Sequence, residues 1–244
     1  MATFEAQVEG LTSIAIESSG SYPTQAQLSQ FLKDGVMDVT SKHLSIRPQD
    51  AHMFIKESSE QISNGLDING AKIVSVVREA GTNNDWRDCR EISVALQSNV
   101  TDTNSLHYAS KYNPAYMVNE NGTISVFPSP GSNPDAFKVY YVNNLPVDKG
   151  GSLLVYSHSD IKYFSDDKVY LVVLYAAIKS IEAKLASLTL DEEDIELSGA
   201  LQITLQQLQN SYNQSFIPDR NYEAVLQSQM NQQQQGETRW HYKK

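Results

Sequence analysis

The sequence predicts an α+β protein in which a helical bundle core, with helices near residues 24–40, 165–187 and 195–213, is interrupted by a small antiparallel β insert. Three observations carry this. Apolar residues recur at helical spacing towards both ends of the chain, residues 71–144 switch to the two-residue period of half-buried strands, and Gly, Pro and Asn turns punctuate that middle stretch. The organisation that follows is a helical core from residues 1–65 and 146–215, a β insert at 66–145, and an extended Gln-rich tail at 216–244.

The front helix is "TQAQLSQFLKDGVMDVT", residues 24–40. Pro23 precedes it, and Thr24 with Gln27 forms a capping box that satisfies two orphan amides. Leu28, Phe31, Leu32, Val36 and Val39 then make one apolar stripe. Ahead of it, Leu11, Ile14 and Ile16 fit a short helix or an arm, and "QDAHMFIKESSEQI" (49–62) reads as a second, shorter helix.

From residue 71 the period changes. "AKIVSVVRE" (71–79) and "REISVALQS" (90–98) are rich in β-branched residues, and Ile92, Val94 and Leu96 alternate. "YMVNENGTISVFPSPG" (116–131) reads as a hairpin, because Asn121-Gly122 supplies the positive φ angles of a type I′ turn and Pro-Ser-Pro-Gly stops the second strand. "AFKVYYVNN" (136–144) sets Phe137, Val139 and Tyr141 on one face.

Helix returns at residue 165 with "SDDKVYLVVLYAAIKSIEAKLASL". Ser165 is the expected cap, and Asp166 and Asp167 suit the positive end of the helix dipole. Residues 169–178 are apolar nearly all round, which places them at the centre of a bundle or at a subunit interface. Val169, Leu171, Val173, Leu174 and Ile178, with Tyr140, Tyr141 and the tail's Trp240, are therefore the candidate interface residues. Leu197, Leu201, Leu205, Leu208 and Tyr212 mark a last amphipathic helix whose other face is Gln-rich.

A formal net charge of −10 argues against wrapping nucleic acid through its phosphates. A single cysteine, Cys89, cannot form an internal disulfide. No apolar run reaches the ~20 residues needed to span a bilayer, so no membrane partner is expected. Sequons at Asn99, Asn121 and Asn213 are expected to be chance matches, as no signal peptide leads the chain.

Catalytic signatures are not found. The P-loop, G-x-G-x-x-G, G-x-S-x-G, H-E-x-x-H and paired C-x-x-C patterns are missing, and His43, His52, His107, His158 and His241 lack ligand spacing, so no metal or cofactor is expected. Ser165 and Lys168 fit S-x-x-K, but a capped helix start explains the same residues. Asp67, Asn69 and Gly70 begin like a calcium loop and lack its later ligands. Tyr108, Tyr112, Tyr116, Phe137, Tyr140 and Tyr141, without basic neighbours, suit core and interface better than a stacking platform. The expectation is a protein without enzymatic activity.

Three segments carry a resemblance: "YPTQAQLSQFLKDGVMDVT", "NPAYMVNENGTISVFPSPG" and "DDKVYLVVLYAAIKSIEAKLASLTLDEEDIELSG". Together they resemble virion structural proteins of tailed bacteriophages, particularly marine and cyanobacterial viruses, in the head-to-tail connector (adaptor or neck) class. The resemblance implies a homo-oligomeric ring, of twelvefold symmetry, assembled in the host cytoplasm into the virion. It implies three kinds of partner: the portal protein, the tail or next neck protein, and double-stranded DNA passing through without specific binding. A family of this kind has no catalytic residues to carry over. Within such a ring, Asp191, Glu192, Glu193 and Asp194 are the candidate lumen residues, since like charge keeps exiting DNA from adhering to the wall. Two other readings stand beside it: a β-rich attachment or tail-fibre-type binding module, and another neck component such as a tail terminator.

Overall fold

The computed structural model describes residues 2–19, 22–82, 84–188 and 195–216. It is mixed α+β and divides into two compact units. One is helical, made of Phe4–Ile46 and the described residues from Leu171 onward; the other, Arg47–Tyr170, holds all the described strands. The β unit is thus larger than the expected insert at 66–145, for reasons found at both of its ends. No described helix is long and apolar enough to cross a membrane.

In the helical unit, α1 (Phe4–Thr12) buries Phe4, Val8 and Thr12 at four-residue spacing. α2 runs over Gln25–Ile46, six residues beyond the expected end at 40. Its capping box is present: the Thr24 amide donates to Gln27 Oε1 at 2.9 Å, and the Gln27 amide donates to Thr24 Oγ1 at 3.3 Å. Leu28, Leu32, Val36 and Val39 form its buried stripe. α4 (Val169–Leu188) approaches α2 closely at Gly35, where a Cβ would meet Tyr175 Cδ1 at 3.1 Å and Val172 Cγ1 at 3.3 Å. α5 (Ile195–Gln214) lays Leu201, Leu205 and Leu208 into a cluster with Ile14, Ile181 and Leu185.

Ser165 does not cap through its side chain. Its hydroxyl donates instead to the Asp167 carboxylate, and a 3-10 turn, Asp166–Lys168, leads into α4.

The β unit is two four-stranded sheets. The first orders β1 (Ile55–Glu57), β8 (Phe137–Val142), β3 (Ile73–Glu79) and β4 (Trp86–Asp88), all antiparallel. The second orders β2 (Leu66–Asp67), β7 (Thr123–Phe127), β6 (Ala115–Val118) and β5 (Arg90–Glu91), with β5 parallel to β6. Val76, Phe137 and Val139 from one sheet meet Tyr116, Ile124 and Val126 from the other in a single core cluster, so the inner faces pack on each other.

Three local expectations are corrected here. Residues 49–62 are helical only in their first part: a 3-10 helix, Pro48–Phe54, gives way to β1, which pairs Ile55, Lys56 and Glu57 with Val142, Tyr141 and Tyr140. Gln61 and Phe137 extend that edge by exchanging backbone hydrogen bonds of 2.8 and 3.0 Å. Residues 90–98 are a strand only at Arg90–Glu91, because Ser93 Oγ accepts the Ala95 amide at 3.2 Å and starts a 3-10 turn that runs into α3 (Gln97–Thr101). The hairpin turn is a three-residue loop rather than a two-residue type I′ turn. The Gly122 amide donates to the Asn119 carbonyl at 2.9 Å, and Gly122 alone takes positive φ (+73°), the type I turn with a following left-handed residue. At the far end, the Lys162 amide reaches the Val147 carbonyl and the Phe164 ring packs edge-on against Phe54 at 5.3 Å, which ties residues 146–164 to the sheets.

Candidate functional site

α5 alternates between two different surfaces. Its inner side is apolar: Leu201 and Tyr212 are buried, and Leu205 and Leu208 are half-buried beside them. Its outer side exposes Gln202, Ile203, Gln206, Gln207, Asn210 and Asn213, with Ile203 62% exposed. Between residues 197 and 216 there is no Asp, Glu, Lys, Arg or His. At the chain's 20% charged content, a 20-residue helix would carry about four such residues, and α5 carries one, Glu196. Solvent-facing helices are ordinarily rich in charge, whereas charge is depleted in the cores of protein interfaces.

The far end of this helix is fastened to α2. Tyr212, 3% exposed, donates its hydroxyl to Asp38 Oδ2 at 2.5 Å, and Lys42 pairs with the same carboxylate at 2.8 Å. The Lys42 ammonium also lies 4.7 Å from the centre of the Tyr212 ring, and the Phe216 ring meets Tyr212 edge-on at 5.1 Å. Burial first, then the Asp38 carboxylate accepting its proton, holds the Tyr212 phenol far above its ordinary pKa, so it stays a donor. On α4, Lys179 pairs with Glu182 at 2.8 Å, and Gln209 donates to Glu182 Oε1 at 3.5 Å. The outer face is therefore held in a fixed orientation on the helical unit.

The residues expected at a subunit interface fall elsewhere. Leu171, Val173, Leu174 and Ile178 are between 1 and 7% exposed in a single chain, and Val169 is half-buried. The first four are core residues of the single chain. An all-round apolar helix meets either its own chain or another, and here its own chain covers it. Tyr140 and Tyr141 are half-buried on β8, where Tyr141 packs on the sheet core. Trp240, the tail beyond Phe216, and Asp191, Glu192, Glu193 and Asp194 lie outside the described residues.

Among the described residues, no group of three or more His, Cys, Asp and Glu side chains could hold a metal. Asp67 Oδ1 accepts the Asn69 amide at 2.7 Å, a local turn contact. Lys168 pairs with Asp167 at 3.1 Å, the same carboxylate that takes the Ser165 hydroxyl. Burial, helped by Asp88, pushes the Cys89 thiol up to about 12, where it is inert.

The uncharged face of α5 is the feature sequence reading passed over. Its signal was present as the missing charge of residues 197–216, which the Gln content alone disguised as an ordinary solvated face. No protein-family model matches the chain, and no curated protein is significantly similar to it.

Proposed function

We propose that this chain is a structural protein of a tailed-phage virion, forming a ring in the neck that joins the portal to the tail and lets DNA pass. The observation that carries the reading is the charge-free outer face of α5 on a chain of net charge −10. Copies of one acidic protein repel, and a contact that buried their carboxylates would cost several kcal/mol per desolvated charge. A face built of Gln, Asn, Ser and one exposed Ile escapes that cost. Its amides donate and accept in equal number, so they satisfy one another across a joint between copies. Repeating one such joint about an axis closes a ring. The acidic remainder of the surface repels passing DNA rather than holding it.

Native mass spectrometry and sedimentation velocity of the full chain, alone and mixed with its portal, test the reading. Discrete oligomers are expected in at least one of the two. Gln206→Glu keeps a good helix former at an exposed position and adds one carboxylate per copy to the face, and it should weaken assembly at least tenfold while leaving the helical signal unchanged. A chain that stays monomeric in both samples, or a Gln206→Glu variant that assembles like the parent, refutes it.

A further inference from the structure

The β unit contains a cleft of about 300 Å³, at the lower end of the range for small-ligand sites. Ile68, Ala71, Ile73 and Val118 give it an aliphatic part, and Tyr116 and Glu91 a polar one. Two turn glycines meet at its mouth: Gly70 and Gly122 both take left-handed φ (+70° and +73°), and a Cβ on Gly122 would come within 4.0 Å of the Gly70 amide.

One charged side chain, the exposed Glu91, is part of its lining. Glu91, on β5, places Oε2 3.2 Å from the Tyr116 hydroxyl, which donates to it. Tyr116 is 7% exposed, and burial followed by the Glu91 charge lifts its phenol to about 12, so it keeps its proton. No lysine, arginine or histidine among the described residues pairs with Glu91. Its neighbour Arg90 turns the other way and donates to the His107 carbonyl. Glu91 and Tyr116 thus bring a carboxylate and a phenol together in the lining of the cleft.

We propose that the cleft binds a cationic group on an aliphatic stem, the chemistry of a lysine or arginine side chain presented by another protein. The stem fills the space between Ile68, Ile73 and Val118, and the ammonium or guanidinium donates to Glu91 Oε1 and Tyr116 Oη. A long basic side chain buries its methylenes and keeps its charge at a polar rim in this way. The inference stands apart from ring formation, because it uses only the β unit.

The probes are n-butylammonium, an end-capped Gly-Lys-Gly peptide and n-butanol, each titrated into the 15N-labelled full chain and followed by amide shifts. Saturable shifts at Ala71, Gly122 and Val118 are expected with butylammonium, in the millimolar range, and at least tenfold weaker with butanol. Shifts with the capped peptide as well identify a protein side chain as the ligand; shifts with butylammonium alone identify a free amine, and both place the cation in the cleft. Glu91→Gln, which keeps an acceptor for Tyr116, should lower the butylammonium affinity at least tenfold. Val118→Trp should abolish binding by filling the space, with the remaining amide spectrum reporting that the fold is intact. Equal response to butanol, an absence of saturation, or undiminished binding by Glu91→Gln overturns the proposal. Oligomer mass is not a readout here, so failure of the ring and failure of the cleft are told apart.

Discussion

Replacing Tyr212 by phenylalanine removes one hydroxyl from a ring that keeps all its packing. The hydroxyl donates to Asp38 Oδ2 at 2.5 Å, across 174 residues of sequence, and it is the polar link between the end of α5 and α2. A hydrogen bond to a charged group is worth about 1.5–3 kcal/mol. Asp38 is 30% exposed and retains Lys42 at 2.8 Å, so water and the ammonium take up part of the loss. The expected cost is therefore about 1–2 kcal/mol, which at a urea slope near 2 kcal/mol/M lowers the midpoint by about 0.5–1 M. Circular dichroism at a helix-weighted wavelength is the assay at neutral pH.

The same variant has a pH signature. The Tyr212 phenol is held far above its ordinary value in the folded protein, by burial and then by Asp38, whereas in the unfolded chain it titrates near 10. A raised folded pKa contributes stability that is fully present below the unfolded value and is lost as pH rises beyond it. From pH 10 upward the unfolded state gains by releasing the proton, by up to about 1.4 kcal/mol per pH unit. Phenylalanine has no proton to release. The gap between parent and Tyr212→Phe should then shrink between pH 9 and pH 11, while the shifts of Tyr116 and Tyr175 act on both proteins and cancel in the difference. Midpoints that coincide at neutral pH, or a gap that stays constant to pH 11, would refute the assignment of this hydroxyl as the latch of α5.

Two further outcomes follow from the β unit. Arg78 is 3% exposed, and its guanidinium donates to the carbonyls of Pro128, Ser129 and Glu79 and to Asp135 Oδ1, which fastens the Pro-Ser-Pro-Gly turn to β3. Arg78→Lys keeps the charge but loses the planar fork, and should cost about 2–4 kcal/mol in urea unfolding followed by Trp86 fluorescence. Cys89, with its thiol raised to about 12 by burial and by Asp88, should resist a thiol reagent at pH 8 in the native protein and react at once in urea; rapid native labelling would show that the sheet core opens there.

How far the fold was legible in the sequence depended on the range of the forces at work. The start of α2 was readable to the residue, since Thr24 and Gln27 satisfy each other three positions apart. β3 and β8 were readable because their alternation is enforced by a buried face, with Val76, Phe137 and Val139 inside. Residues 90–98 alternate as well as these do, yet one side-chain bond from Ser93 outweighed the pattern, and the short edge strand β1 exists through pairing with a partner more than eighty positions away. That misreading also hid the cleft, because Glu91 and Tyr116 come together only when β5 lies parallel to β6.

α4 and α5 mark a sharper limit. The period of α4 says that it is apolar on every side; it does not say whose atoms cover it, and the answer rests on how α2 and α5 return to it through chain topology. Hydrophobicity is therefore a poor witness for assembly in this protein, since its own helices can satisfy it. Charge is a better one. Among the described residues, a chain of net −10 has no internal need to keep residues 197–216 free of carboxylates and lysines, because the outer side of α5 is exposed and a charged side chain there would be solvated at no cost. Internal packing accounts for Leu201, Leu205, Leu208 and Tyr212, and leaves the neutrality of Gln202, Gln206, Gln207, Asn210 and Asn213 unexplained. Contact with a like-charged copy would make neutrality on that side favourable, so the proposed ring rests on α5 and not on α4.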